Sequence, residues 1–276
     1  MNCYLYLALM GSNSTRDWNV LCWNVRGLNS AARQRAVREK IDESHCSVIC
    51  LQETKCSTID CSFVKSFCPR RFDQFAFVPS IGASGVILTI WNSAVFHGTL
   101  VESQQFGLII KFTSRLNSET WYLVNVYGPC DQTVMDSFVH WLYNLTIPFD
   151  ENWLLLGDFN FIRSLDNRNL PGGDINDMFI FNEVIGHLGL LELPIKGRRY
   201  TWSNMQGSPL LEQLDWFFTS SNWTLTYPNT TVSTMLMETS DHVPCVVSIG
   251  TSIPRANIFR FENYWVEQVG FMECVQ

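Results

Sequence analysis

The sequence predicts an α/β (α+β) fold in which two packed sheets carry helices on their outer faces. Three observations point there. Apolar strand-like runs outnumber helical ones and come in clusters. Strand and helix periodicities alternate without a linker, charge block or internal repeat. Hydrophobic residues make up 46% of the 276 positions and charged ones only 16%, enough apolar material for a large core and too much for a disordered chain.

The elements read in order. Residues 18–25 (WNVLCWNV) form a buried strand. Ser30 caps a helix running to about Ser44, with Ala32, Ala36, Val37 and Ile41 on one face and charges on the other. Residues 47–52 (SVICLQ) make a second strand. β-Rich runs follow at 72–78, 85–91, 106–113 and 120–127, with Gly82 and Gly85 marking turns. Asp131 caps a helix over about 131–146, striped by Val134, Phe138, Trp141, Leu142 and Leu145. The strand WLLLG (153–157) leads into DFNFIR, and PGGD opens a helix near 174–188. The last β-rich runs are 199–203, 213–218, 231–236 and 244–249.

Several classes of protein are excluded. No apolar run reaches the roughly 18 residues of a membrane helix. The start, MNCYLYLALM, lacks the basic segment and cleavage site of a signal peptide. The 10 cysteines include no C-x-x-C pair, and Cys22, Cys50 and Cys245 sit in apolar runs as buried thiols do. Free thiols fit an intracellular, non-secreted protein, so the N-x-S/T sequons carry no weight. Cys46, Cys50, Cys56 and Cys61, with His45, match no zinc spacing. Residues 1–140 carry 12 basic and 11 acidic side chains, whereas residues 141–276 carry 7 and 15, for a net charge of −7. That balance argues against a DNA-coating protein but leaves room for an enzyme that touches DNA locally and gathers carboxylates around a metal.

The informative residues stand at the ends of apolar strands. Asn24 ends the first, in WNVRGLN, and Glu53 ends the second, in ICLQET. Tyr127 closes LVNVYGP, Asp158 and Asn160 follow WLLLG, Asp215 lies inside QLDWFF, and Asp241 and His242 precede VPCVVSI. Strand ends gathered at one rim are where α/β enzymes assemble sites. Singly, each has an ordinary explanation, since Asn and Asp favour turns and Tyr packs with its hydroxyl wet. Asp215, between Leu214 and Trp216, needs a partner, and His242 is a sensible one. His45, His97, His140 and His187 match no motif and read as structural or surface residues. The basic group at 33–40 reads as a solvated helix face; Lys196, Arg198 and Arg199 are the better phosphate contacts.

Taken in order, these blocks resemble the endonuclease/exonuclease/phosphatase (DNase I-like) superfamily. They are most similar to the endonuclease domain of plant non-LTR (LINE-type) retrotransposons, in which WNVRGLN, CLQETK, GASG, VYGP, LLGDFN, GRRYTWSN, LDWFF and SDH recur in this order. The resemblance covers about residues 18–249. It implies a four-layer α/β/β/α sandwich over residues 18–250, preceded by a divergent extension (1–17). The tail, 251–276, resembles the connector toward a reverse transcriptase, as in a detached retroelement fragment or a host gene derived from one.

The resemblance also implies a chemistry: a magnesium-dependent phosphodiesterase, with manganese as a substitute, that nicks DNA in the nucleus and holds it by phosphates and groove shape. Hydrolysis at phosphorus needs a hard cation, a positioned water and stabilisation of growing charge. In that scheme Glu53 is the principal metal ligand, with Asn24 beside it and Asp241 nearby. Asp158 takes the proton of the attacking water and Asn160 orients the phosphate or that water. His242, polarised by Asp215, donates to the phosphoryl oxygens, and Tyr127 hydrogen-bonds the scissile phosphate. Thr201 and Trp202 resemble a turn that contacts DNA. Two departures matter: Arg26 stands where apurinic-site enzymes carry Asp, and Val86 replaces a usual Gly. An inositol-phosphate or lipid phosphatase of the same fold would add a W-x-D-R block, which LDWFF does not supply. A non-enzymatic, decayed or domesticated domain is the third alternative.

Overall fold

The computed structural model describes residues 18–56, 58–79, 86–237 and 239–250. The expected turn at Gly82 and Gly85, the N-terminal extension and the C-terminal tail lie outside them. In chain order the elements are β1 (Trp18–Asn24), α1 (Ala31–Ser44), β2 (Val48–Gln52), α2 (Cys61–Phe67), β3 (Gln74–Val78), β4 (Ile87–Trp91) and β5 (Phe96–Gln104). There follow β6 (Gly107–Ser114), β7 (Thr120–Tyr127), α3 (Gln132–Tyr143), β8 (Trp153–Asp158), α4 (Ile175–His187), β9 (Leu191–Glu192) and β10 (Ile195–Lys196). The chain continues through β11 (Trp202–Ser203), β12 (Leu211–Glu212), β13 (Asp215–Thr219), α5 (Ser221–Thr226), β14 (Thr231–Thr234) and β15 (Cys245–Ile249).

The strands form two large mixed sheets, ordered β10-β14-β15-β1-β2-β4-β3 and β5-β6-β7-β8-β13-β9, and β11 and β12 pair separately. The central strands β2, β4, β8 and β13 are buried along their whole length, which explains why they read as continuous apolar runs rather than alternating ones. In β1, Val20 and Cys22 enter the core between the sheets, while Leu21 and Trp23 face the α1–α2 layer. In β8, Leu154 and Leu156 enter the same central core, while Trp153 and Leu155 face α3 and α4 through Phe138, Leu142 and Phe181. The layers are therefore α/β/β/α, as expected.

The helix starts follow the sequence reading, because each cap is a local device: Ser30, Asp131 and Asp174 accept from the N–H groups of Arg33, Thr133 and Asn176. Some details differ. Ala32 is exposed, and Lys40 is buried on α1 instead, its ammonium 2.9 Å from Glu43. On α3, Met135 is buried beside Phe138 and Leu142, whereas Val134 is only half-buried. β5 went unread because it is a sheet edge with Leu100 and Val101 exposed, leaving no apolar alternation. The short α2 and α5 carry too few turns for a periodic signal.

Candidate active site

Strand register aligns the polar ends. Tyr127, Asp158 and Asp215 are direct neighbours across β7, β8 and β13. In the other sheet Asn24 pairs with Gln52, and Glu53 follows at once. A polar bridge beneath this rim ties the sheets together. Gln52 Nε2 donates to Asn125 Oδ1 at 2.6 Å, and Asn125 Nδ2 donates to Thr89 Oγ1 at 3.1 Å. Gly157, just before Asp158, has φ +140°, and a Cβ there would lie 2.0 Å from the Val126 carbonyl oxygen. Only glycine lets β8 approach β7 this closely at that point. Four non-glycine residues of the rim adopt left-handed backbone: Arg26, Glu53, Lys55 and Asn160, with φ between 50° and 54°. Such conformations cost about 1 kcal/mol or more each, and they gather here because the rim must turn side chains inward.

Asp158, Asp215 and His242 form one buried chain. His242 Nδ1 lies 2.9 Å from Asp215 Oδ2, and Nε2 makes a looser contact with Asp158 Oδ2 at 3.5 Å. Asp158 Oδ2 also accepts from Asn24 Nδ2 at 2.8 Å, and its Oδ1 from the Asn160 backbone N–H at 3.0 Å. Burial raises the Asp158 carboxyl to about 7, against the pull of the imidazole and reinforced by the charge of Asp215. Burial alone would lower His242, but Asp215 and Asp158 hold it up at about 9. The loop carrying His242 is tied down: its backbone N–H donates to Ser240 Oγ, and Ser240 Oγ–H donates to the Asn24 carbonyl.

Glu53 and Asp241 form a second group nearer solvent. Glu53 Oε1 accepts from Asn24 Nδ2 at 3.0 Å and from Arg26 at 3.1 Å, and its Oε2 lies 3.3 Å from Lys55 Nζ. Asp241 Oδ2 accepts from Trp202 Nε1 at 3.0 Å and pairs with the other end of the Arg26 guanidinium at 3.0 Å. Burial would raise Glu53, but the Asn24 hydrogen bond and the Arg26 charge hold it below the ordinary carboxylate value. Tyr127 stands beside Glu53; its burial and the Glu53 charge push the phenol well above its usual value, so it stays protonated. Two carboxylates converging on one cation are the oxygen donor set that suits a hard divalent ion. The Asp158–His242–Asp215 chain is less suited, since its ring nitrogens are engaged by its own carboxylates.

A cleft of about 270 Å³ opens on these groups, lined by Arg26, Glu53, Cys130, Asn160, Trp202 and His242 among others. Of the thirteen residues the sequence singles out, nine belong to this assembly: Asn24, Glu53, Tyr127, Asp158, Asn160, Trp202, Asp215, Asp241 and His242. Thr201 stands apart from them. It is fully buried, and its Oγ1 accepts from the backbone N–H groups of Leu214 and Asp215, each at 3.1 Å. Through these bonds it fixes the start of β13. Arg198 and Arg199 are exposed and do not line the cleft; Arg199 pairs with Asp166 at the surface, 3.3 Å away. Arg26 and Ser240 were not read as site residues. Arg26 carried a signal, an arginine inside WNVRGLN, but only the fold shows which carboxylates it meets.

Comparison with known proteins agrees with this architecture. Residues 21–242 match the endonuclease/exonuclease/phosphatase family. The chain is 25% identical over 263 residues to the transposon TX1 uncharacterized 149 kDa protein of Xenopus laevis, covering 92% of this chain and 20% of that protein. It therefore spans about a fifth of that relative's length. The AP endonuclease LMAP from Leishmania major superposes with a TM-score of 0.67 at 16% identity, over 86% of this chain and 89% of that one. The endonuclease domain of TRAS1, a telomere-specific non-LTR retrotransposon, gives 0.64 at 16% identity, over 84% and 98%.

Proposed function

The chain belongs to the endonuclease/exonuclease/phosphatase family, and on that premise we propose that it is a Mg²⁺-dependent phosphodiesterase that nicks DNA, of retrotransposon type. One observation carries the reading: a proton-handling chain (Asp158, His242, Asp215) and a carboxylate pair gathered on a cation (Glu53, Asp241) meet at a single cleft. Residues 18–250 form the catalytic domain.

Glu53 and Asp241, with Asn24 beside them, would hold Mg²⁺, or Mn²⁺ in its place. Bound there, the metal supplies Lewis acidity toward the phosphoryl oxygens. Asp158, raised to about 7, takes the proton of the attacking water; a base near the working pH combines availability with driving force. Asn160, fixed by its hydrogen bonds to Gly128 and Asp158, orients that water or the phosphate. His242 remains protonated through neutral pH and donates toward the phosphoryl oxygens as charge grows, while Asp215 keeps the ring aimed. Tyr127, protonated beside Glu53, donates to the scissile phosphate. Trp202 stands at the cleft edge against the substrate, and Arg198 and Arg199 meet flanking phosphates from the surface. With a net charge of −7, binding rests on these local cations and weakens as salt rises.

The test is conversion of supercoiled plasmid to open circles by the purified chain, with Mg²⁺ or with EDTA, beside Asp158→Ala and His242→Ala. Nicking that needs Mg²⁺ and is lost in both variants supports the reading. A folded wild-type chain that leaves the plasmid intact refutes it. Phosphate release from inositol phosphates would then favour a phosphatase of the same fold.

A further inference from the structure

The Arg26 guanidinium spans the two carboxylates assigned above to the metal. One end lies 3.1 Å from Glu53 Oε1 and the other 3.0 Å from Asp241 Oδ2. It reaches them from the solvent side, for its side chain is 39% exposed whereas that of Glu53 is 4% exposed. Its backbone is anchored independently. The Arg26 N–H donates to Asn24 Oδ1 at 3.1 Å, and the Arg26 carbonyl accepts from the Arg33 guanidinium. The side chain can therefore leave the carboxylates while the loop stays in place. Without a cation between them, Glu53 and Asp241 would repel each other across a partly dry rim.

We propose that Arg26 is the resident counter-cation of the Glu53–Asp241 pair, displaced when a divalent metal binds and then free to grip a backbone phosphate of the substrate. The inference rests on the metal assignment made above. A guanidinium is charged at every accessible pH, and its planar fork matches a phosphate as well as a carboxylate. The exchange makes metal and phosphate binding mutually supportive. Metal entry costs the protein two charge-assisted contacts, and the phosphate gives the released guanidinium a new partner. In the absence of substrate, Arg26 competes with the metal.

The test is calorimetric titration of the full chain with Mn²⁺, comparing wild type, Arg26→Gln and Glu53→Gln. The expected result is binding about tenfold tighter in Arg26→Gln than in wild type, as loss of the competing contacts implies, and binding abolished in Glu53→Gln. A phosphorothioate oligonucleotide that resists cleavage should tighten Mn²⁺ binding in wild type but not in Arg26→Gln. Equal or weaker Mn²⁺ binding in Arg26→Gln, with the Glu53 dependence intact, overturns the counter-cation role alone. Absence of any Glu53-dependent binding overturns the metal assignment and the inference with it. Should Arg26→Gln fail to fold, side-chain NMR of wild type decides: Mg²⁺ must shift the Arg26 guanidinium signals, and unchanged signals at saturation overturn the proposal.

Discussion

Replacing Asp215 by Asn isolates the electrostatic part of the site. The substitution keeps the shape and a hydrogen-bonding group 2.9 Å from His242 Nδ1 but removes the charge. Both side chains are 3% exposed, so solvent screens their interaction little. An opposite charge at this range shifts a pKa by about 1–3 units. The imidazole should therefore fall from about 9 toward its ordinary 6.5. At pH 8 the protonated fraction would drop from about nine-tenths to below one-tenth, an activity loss of about tenfold before any loss of ring orientation. In wild type the nicking rate should rise through about 7 as Asp158 ionises and fall through about 9 as His242 loses its proton. Asp215→Asn should move the alkaline limb down by about two units, and it should shift the acid limb downward as well, because the Asp215 charge helps to raise Asp158. The sign of the stability effect follows from the same shift. A histidine raised in the folded state contributes stability that is complete below about 6.5 and lost as pH rises through about 9, here about 3 kcal/mol. The assays are a pH–rate profile on plasmid and an NMR titration of the imidazole in the metal-free protein. An imidazole still titrating near 9 in Asp215→Asn, or an unmoved alkaline limb, refutes the reasoning.

Thr201→Val removes the acceptor of two buried backbone N–H groups, at Leu214 and Asp215, and should cost about 2–4 kcal/mol in urea unfolding; an unchanged midpoint would return Thr201 to the substrate surface. Gly157→Ala places a Cβ 2.0 Å from a backbone oxygen at φ +140°, so expression as folded protein should fail or the melting temperature should fall by many degrees. Cys130 lines the cleft and is exposed, while burial around its sulfur and the nearby Asp158 and Glu53 raise its pKa. A bulky maleimide should therefore block nicking, faster as pH rises, and Cys130→Ser should be resistant; equal inhibition of both would place the blocking thiol elsewhere.

Much of this site was legible in the sequence because its parts are local. Asn24, Glu53, Tyr127 and Asp158 each end an apolar run, and parallel pairing of β1 with β2 and of β7 with β8 carries those ends to one rim. The Asp215–His242 pair was legible for a different reason, since a carboxylate between Leu214 and Trp216 has to be neutralised somewhere. What was not legible depends on long-range placement. Thr201 resembles a substrate contact in GRRYTWSN, yet its hydroxyl is turned inward by two N–H groups 13 and 14 residues away. The direction of Arg26 is set by a left-handed backbone turn that a one-dimensional pattern does not show.

The uneven charge of the two halves of the chain has a local counterpart in this site. Asp158, Asp215 and Asp241 come from the acidic second half, whereas Arg26 and Lys55, which meet Glu53, come from the nearly neutral first half. Four carboxylates thus face Arg26, Lys55 and a protonated His242, and the rim is close to electrical balance before any metal arrives. A divalent ion added to that balance makes the cleft cationic, which is the condition under which a polyanionic backbone is attracted to a protein whose overall charge repels it. With a metal held by Glu53 and Asp241 as proposed, the rim would attract the substrate backbone, and the released Arg26 guanidinium would supply part of that attraction.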